Sequence, residues 1–289
     1  MSKILITGAT GQFGKAVIEA LLKNGIENNT IQAMVRNEAK AAYLKSLGIN
    51  SVFGDYNDYD SMTRAFSGIE KLLFVSSGEI QNRTAQHAQV VKAAKKAGVK
   101  HIFYTSQIHK TDSPSSAMNF VMKSHLATEN KIMSSGMEYT ILRNSLYLDM
   151  LPLFLGEKVI ENGILLPAGN GKIAFAMRSE MAEIAAKIIS SEIHQNKIYN
   201  ISGKGVSFVE IAAMISEITA KNITYLSPTL EAFIKIATNS GMPKHYVKML
   251  GCFAMAAQEG ELEGKDSQIE MLLERKPTTV QQFLEKILK

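Results

Sequence analysis

The stretch Lys3-Ile-Leu-Ile-Thr-Gly-Ala-Thr-Gly-Gln-Phe-Gly14 decides how this chain folds. Its residues Ile4 to Ile6 form a short apolar run, which is typical of a strand buried on both faces of a parallel sheet. Glycines follow at three-residue intervals, and Lys15 to Lys23 then has the apolar spacing of a helix that stops at Gly25. Small residues between a strand and a helix let the backbone approach a pyrophosphate, whose charge the helix N-terminus stabilises.

This glycine pattern is a variant of the dinucleotide-binding fingerprint, because it reads G-x-x-G-x-x-G instead of G-x-G-x-x-G. The pattern has the context that such a motif requires, with a strand before it, a helix after it and a second strand predicted over Ile31 to Val35. A glycine turn without a ligand is the alternative. We expect a dinucleotide to bind here, and the contributing residues to be Gly8, Thr10, Gly11, Gln12, Phe13 and Gly14.

The rest of the first half continues the alternation of strands and helices. This alternation implies right-handed crossovers and a parallel sheet. The predicted fold class is α/β, with a Rossmann-type doubly wound parallel sheet over residues 1–145. Residues 146–289 are predicted to form a smaller C-terminal substrate lobe, although a strand near 197–201 should return to the main sheet.

In a doubly wound sheet the ligand binds beyond the carboxyl ends of the strands. This rule selects the residues at the end of each predicted strand as further candidates for cofactor binding. They are Arg36, Asp55, Tyr56, Ser76, Ser77, Gly78, Thr105, Ser106, Arg143 and Asn144.

Composition excludes several classes of protein. The net charge of +5 is spread along the chain, and without a recognisable motif it does not predict a nucleic-acid partner. The six histidines are scattered, so no metal site is predicted. No apolar run approaches the roughly 20 residues of a membrane span, and the first strand begins too early for a signal peptide. The single cysteine, Cys252, fits a reducing compartment. We therefore expect a soluble, cytoplasmic protein.

The tip of the second strand indicates which dinucleotide binds. An acidic residue there would bind the ribose 2′-hydroxyl of NAD, whereas an arginine accommodates the 2′-phosphate of NADP. The strand ends in Arg36, with Lys40 one helical turn further on. The planar guanidinium of arginine pairs well with phosphate. The sequence therefore favours NADP(H), the alternative being a solvated surface arginine.

These motifs resemble the NmrA-like family of atypical short-chain dehydrogenases/reductases. Within that family they are similar to the branch of bacterial type 2 NAD(P)H:quinone oxidoreductases and triphenylmethane reductases. The combination of His125–Glu129 with Leu142-Arg-Asn144 is much narrower than the glycine motif. The segments that carry the resemblance are Thr7–Gly14, Val35–Asn37, Gly54–Tyr56, Lys71–Ser76, Ala97–His101, His125–Glu129 and Tyr139–Asn144, with weaker echoes in Lys197–Ile201 and Pro277–Thr279.

The resemblance implies that the glycine loop and Arg36 bind NADPH, and that quinones or cationic dyes are reduced beside the nicotinamide. The proton relay of typical short-chain reductases, Tyr-x-x-x-Lys, is missing, because none of the nine tyrosines has a lysine four residues later. The helix that should carry this relay has instead Lys123, a further candidate for cofactor binding, and His125, the candidate catalytic residue. His125 could supply a proton near neutral pH, or it could only hold a neighbour in place.

Two functions of different classes remain open at this point. One is an NADPH-dependent reductase that transfers hydride to a flat, quinone-like small molecule. The other is a redox-sensing regulator that binds NADP(H) without turnover. A nucleotide-sugar epimerase is a weaker third alternative. A reductase needs an acceptor pocket, which we expect Phe120, Tyr147 and Phe175 to line. The sequence leaves the oligomeric state, including a homodimer, open.

Overall fold

The computed structural model describes residues 3–111 and 113–289. The strands are β1 (Ile4–Ile6), β2 (Ile31–Val35), β3 (Asn50–Phe53), β4 (Lys71–Phe74), β5 (His101–Gln107), β6 (Glu138–Asn144), β7 (Ile164–Leu165), β8 (Lys172–Ile173), β9 (Lys197–Ile201), β10 (Val206–Ser207) and β11 (Tyr225–Leu226). The helices are α1 (Gln12–Lys23), α2 (Ala42–Ser46), α3 (Tyr59–Ala65), α4 (Arg83–Ala97), α5 (Asn119–Met133), α6 (Leu151–Leu155), α7 (Val159–Asn162), α8 (Arg178–Ile189), α9 (Phe208–Thr219), α10 (Leu230–Asn239), α11 (Lys244–Gln258), α12 (Ile269–Leu273) and α13 (Val280–Leu288).

Seven strands form one sheet in the order β3-β2-β1-β4-β5-β6-β9. The five pairs from β3 to β6 are all parallel. The chain runs outward from β1 to β3, then crosses back to β4 and continues to β6. The order of the strands therefore reverses between β1 and β4, and this is the switch point at which doubly wound sheets bind ligands. The predicted Rossmann-type fold is confirmed.

Both faces of the sheet are covered at its centre, where β1 and β4 are fully buried. Leu5 belongs to a core that includes Met62 from α3, Val90 from α4 and Ile132 from α5. Its neighbours Ile4 and Ile6 are also buried, and they point to the opposite face because side chains alternate along a strand. Helices α1 and α8 pack against each other.

The bounds of β2 and β9 are those that the sequence predicts. Residues 148–162 form a 3₁₀ turn followed by the short helices α6 and α7. Pro152 in the first turn of α6 and Gly156 after it explain why one continuous helix does not form.

The chain divides into two compact units that are discontinuous in sequence, whereas a single boundary near residue 145 is predicted. The first unit comprises residues 1–107, 121–144 and 178–199, and the second comprises 108–120, 145–177 and 200–289. The first unit includes α8 because the buried face of this helix packs on α1. Among the described residues, no helix is both long enough and apolar enough to cross a membrane.

Candidate functional site

The glycine loop lies between the end of β1 and the start of α1. Gly8 has a positive φ of 59°, which favours glycine, and its carbonyl accepts a hydrogen bond from the amide of Gly11 at 2.9 Å. A Cβ on Gly14 would collide with the carbonyl of Gly8 and the Cα of Ala9, whereas one on Gly11 would meet only the Gly8 oxygen, at 3.1 Å. Gly14 thus lets the helix pack on the loop, and Gly11 keeps the solvent side of the loop open.

A cavity of about 550 Å³ opens beside this loop in the first unit. Of the residues predicted to bind the cofactor, the cavity is lined by Gly8, Thr10, Gly11, Arg36, Asp55, Tyr56, Ser76, Ser77 and Gly78. Its other lining residues are Met34, Val35, Asn37, Lys40, Gly54, Val75, Glu79 and Gln86. The carboxyl ends of β1, β2, β3 and β4 therefore meet at one cavity, as the fold rule predicts.

Charged side chains stand at the rim of this cavity. The Arg36 guanidinium pairs with Glu79, Nη1 to Oε1, at 3.2 Å, and both side chains are substantially exposed, at 64% and 45%. Glu79 also accepts a hydrogen bond from Gln86 Nε2 at 2.9 Å. Gln86 is buried, and its amide nitrogen additionally reaches the side chain of Asn57 at 3.2 Å. Neither Glu79 nor Gln86 is among the residues predicted from the sequence.

Tyr56 lines the cavity, and its hydroxyl points inward. The hydroxyl lies 2.7 Å from the carbonyl oxygen of Val75 and 2.5 Å from Thr7 Oγ1, and burial raises its pKa. Thr105 has a similar bracing role, because its Oγ1 accepts a hydrogen bond from the amide of Ser76 at 2.9 Å. These contacts fix the ends of β1 and β4 and the first residues of the loop that follows β4.

Beneath this loop lies the buried side chain of His87. Its Nε2 accepts a hydrogen bond from the amide of Ser77 at 3.0 Å, so the proton of the neutral ring is on Nδ1 and is donated to Thr128 Oγ1 at 2.9 Å. Burial lowers the pKa of His87 to about 3, with a further contribution from the positive charge of Arg83. His87 is therefore a neutral support for a loop of the cavity. The signal was in the sequence, since His87 shares a helix face with Val90, Val91 and Ala94.

His125 is only 4% exposed, and both of its ring nitrogens have partners. Its Nε2 lies 3.3 Å from Nη1 of Arg83, and its Nδ1 lies 2.7 Å from the hydroxyl of Tyr104. Because arginine only donates, Nε2 must accept and Nδ1 must carry the proton of the neutral ring. Arg83 is itself buried, which lowers its pKa, and its Nε has no hydrogen-bond partner.

The carboxyl ends of β5 and β6 are joined by a buried carboxylate. Glu129, which is 1% exposed, accepts a hydrogen bond from Ser106 Oγ at 2.5 Å and two from Arg143, at 3.1 Å from Nε and 2.5 Å from Nη2. The predicted cofactor residues Ser106 and Arg143 are thus engaged with a protein carboxylate. The adjacent Asn144 is buried, and neither polar atom of its amide has a hydrogen-bond partner.

The remaining predicted residues are distributed more widely. Gln12 and Phe13 form the first turn of α1, and Lys123 is exposed on α5. Phe120 and Tyr147 are half-buried in the second unit. Phe175 is 2% exposed and packs edge-on against Phe154, with ring centroids 5.7 Å apart. Its ring thus belongs to the aromatic core of the second unit, and we retain only Phe120 and Tyr147 as candidates for the acceptor pocket.

Metal-binding chemistry has no candidate site in the described part of the chain, where no three His, Cys, Asp or Glu side chains are grouped closely enough to bind an ion. At the rim of the cavity, Arg36 and Glu79 are paired with each other.

Comparisons with known proteins agree with this geometry. The model of the NmrA-like family matches residues 1–284. The chain is 37% identical over 279 residues to quinone oxidoreductase 2 of Escherichia coli (strain K12), covering 96% of each protein.

Two solved structures are also similar over nearly their whole length. One is the NADPH complex of the NADPH-dependent quinone oxidoreductase from Escherichia coli, at 34% identity and a TM-score of 0.90, with 99% of this chain and 100% of that one covered. The other is the NADP(H) complex of Citrobacter sp. triphenylmethane reductase, also at 34% identity and a TM-score of 0.90, with 98% and 99% covered. The chain belongs to the NmrA-like family.

Proposed function

We propose that this protein is an NADPH-dependent reductase that transfers hydride to a quinone or to a quinone-like or cationic dye acceptor. The observation that carries the proposal is the cavity at the switch point of the sheet, where the glycine loop meets Arg36 and Lys40. The relatives named for quinone and dye reduction support the choice of acceptor over the alternative of a regulator without turnover.

The residues present fit a bound NADP(H). Gly8 and Gly11 leave the backbone of the loop open to a pyrophosphate, and α1 begins directly after Gly11. Arg36 and Lys40 supply positive charge for a 2′-phosphate. When bound, the cofactor supplies the hydride, and the protein holds it in position and sets the electrostatics around it.

We infer that His125 positions its neighbours and does not donate a proton to the acceptor. Its Nε2 accepts a hydrogen bond from a buried guanidinium, and a second proton on the ring would face that positive charge at 3.3 Å. Burial also raises the pKa values of Tyr56 and Tyr104. A quinone suits such a site, because reduction yields a resonance-stabilised hydroquinone anion that solvent can protonate.

The single cysteine supports the reducing cytoplasm as the location that we propose. Cys252 is half-buried, and burial raises its pKa, so this thiol is not activated as a thiolate. We therefore assign no redox role to Cys252.

The proposed partner is a small-molecule acceptor, for which Phe120 and Tyr147 are the candidate lining residues.

The test is to follow NADPH absorbance with a panel of quinones, cationic dyes and simple ketones. We expect turnover of quinones or dyes and little or none of ketones, because general acid catalysis typically contributes 10²–10⁴-fold to a carbonyl reduction. Gly11→Val should remove NADPH binding while circular dichroism shows a retained fold. His125→Ala should lower quinone turnover by less than about 10-fold, whereas loss of a proton donor costs about 10² or more.

NADPH that binds but is not oxidised by any quinone or dye would favour the regulator, and efficient ketone reduction would contradict the proposed chemistry. A protein that binds no NADPH would overturn the assignment of the cavity.

A further inference from the structure

The carboxylate of Glu79 is paired with Arg36, the cation that the proposed function needs for binding the 2′-phosphate. Glu79 Oε1 is 3.2 Å from Nη1 of Arg36, and both residues line the same cavity. The other carboxylate oxygen of Glu79 accepts a hydrogen bond from Gln86 at 2.9 Å. Each oxygen therefore has its own partner, and one of these partners is the arginine at the tip of β2.

The position of Glu79 is set from beneath by Gln86. This residue is only 2% exposed, and its amide nitrogen bonds both Glu79 and Asn57. The other amide atom, Oε1, is buried without a hydrogen-bond partner. A buried side chain has little rotamer freedom, and the amide therefore holds the carboxylate at the arginine at a small entropic cost.

A 2′-phosphate and the Glu79 carboxylate are both anions that seek the same guanidinium. The phosphate can approach Arg36 bidentately only if the carboxylate shares or leaves the guanidinium, and the two anions repel each other at short range. A cofactor that has a 2′-hydroxyl there carries no charge at this position and meets no such repulsion. Glu79 is thus expected to oppose the effect of Arg36 on cofactor choice.

We propose that Glu79 is a specificity-determining residue, which competes with the 2′-phosphate of NADPH for Arg36. This competition lowers the ratio of NADPH affinity to NADH affinity. The proposal rests on the proposed binding of NADP(H) in this cavity. Exposed ion pairs contribute about 0.2–1 kcal/mol, which corresponds to about 1.4- to 5-fold in a binding constant. Repulsion between the two anions adds to this, and the full effect is expected to be about 2- to 10-fold.

The test is calorimetric titration of NADPH and NADH into the wild-type protein and the Glu79→Gln variant. We expect Glu79→Gln to bind NADPH about 2- to 10-fold more tightly, and this gain to shrink in concentrated salt. Glu70→Gln is the matched control, because Glu70 forms an equally exposed ion pair with Lys100 at 2.9 Å, just before the amino end of β4. It should leave both affinities unchanged.

A double-mutant cycle separates competition from a general charge effect. In the Arg36→Ala background, Glu79→Gln should give a clearly smaller gain in NADPH affinity than in the wild-type background. An unchanged or weaker NADPH affinity in Glu79→Gln overturns the proposal, and so does an equal gain in both backgrounds. Failure of the proposed cofactor site has a different signature, since the wild-type protein would then bind neither nucleotide. Failure of the reductase activity alone would appear in the NADPH oxidation assay and not in these titrations.

Discussion

Two polar regions of the first unit differ in solvent exposure and in charge. The cavity rim, formed by Arg36, Lys40 and Glu79, is open to solvent and carries full charges. The buried network consists of Arg83, His87, Tyr104, His125 and Thr128, which are all nearly inaccessible. It contains only one full positive charge when both histidines are neutral, and hydrogen bonds join its members to one another, although Nε of Arg83 has no partner.

The difference determines what each region can do. An exposed ion pair such as Arg36–Glu79 contributes little to stability, because water screens it, and its members can be rearranged by a ligand at little cost. A buried donor or acceptor that loses its partner costs about 1–3 kcal/mol. The rim is thus suited to binding and selecting an anion, whereas the network is suited to holding atoms in place.

The two regions meet at Ser77. This residue lines the cavity, and its amide donates to His87 Nε2 at 3.0 Å. The position of one wall of the cavity therefore depends on a side chain that no ligand in the cavity needs to touch.

The largest effect is expected from breaking the buried network at this junction. His87→Ala would leave a cavity and would remove the partner of both Ser77 and Thr128, and the free energy of unfolding should fall by about 3 kcal/mol. Urea denaturation measures this change. Lys95→Ala, on the exposed face of the same helix, is the control and should stay within about 0.5 kcal/mol of the wild-type protein. A loss for His87→Ala as small as that of the control would contradict the distinction between the regions.

More residues of the cavity than of the buried network could be predicted from the sequence. Arg36 directly follows β2, and Asp55 and Ser76 stand two residues beyond β3 and β4. The rule that ligands bind at the carboxyl ends of parallel strands needs only the order of the elements. Glu79 and Gln86 were missed because they lie beyond the strand end, in the β4–α4 connection and in the first turn of α4, and only tertiary packing brings them to the cavity. No local pattern encodes that packing.

The prediction was weakest where tertiary packing decides. The sequence indicates that His125 is either a proton donor or a support. Only the contact with Arg83, 42 residues earlier in the chain, shows which of its ring nitrogens carries the proton. The role of Glu129 in holding Arg143 and Ser106 was likewise hidden, although Glu129 and Arg143 are in segments that carry the resemblance and Ser106 is at the end of a predicted strand. Helix α8 was assigned to the second lobe because chain order does not reveal that it packs on α1.

The next largest effect tests whether the rim controls cofactor affinity without contributing to the free energy of unfolding. Arg36→Ala removes the charge-assisted hydrogen bonds to a 2′-phosphate, which contribute about 1.5–3 kcal/mol, and should weaken NADPH about 10- to 150-fold. NADH affinity and the free energy of unfolding should change little. Titration and urea denaturation check both statements, with Arg64→Ala on the exposed surface of α3 as the control. An unchanged NADPH affinity in Arg36→Ala would show that Arg36 does not bind the 2′-phosphate.

The smallest effect is the pH dependence that the buried histidines impose. Burial lowers the pKa of His87 to about 3 and, at the amino end of β5, the pKa of His101 to about 4, both from 6.5. Between these values and 6.5 the unfolded chain binds protons that the folded chain does not, and stability therefore falls as the pH falls. From pH 7 to pH 6, each of these histidines should lower the free energy of unfolding by about 0.7 kcal/mol.

His87→Gln tests this assignment, because glutamine can accept from Ser77 and donate to Thr128 but does not titrate. Urea denaturation at pH 7 and pH 6 should show a loss of stability that is smaller than that of the wild-type protein by about 0.7 kcal/mol. Lys95→Ala changes no group that titrates in this range and should keep the full loss. If His87→Gln retained the full loss as well, His87 would take up its proton equally in the folded and unfolded chains. The network would then be open to protons from solvent, and it would no longer differ from the rim in the way that its burial requires.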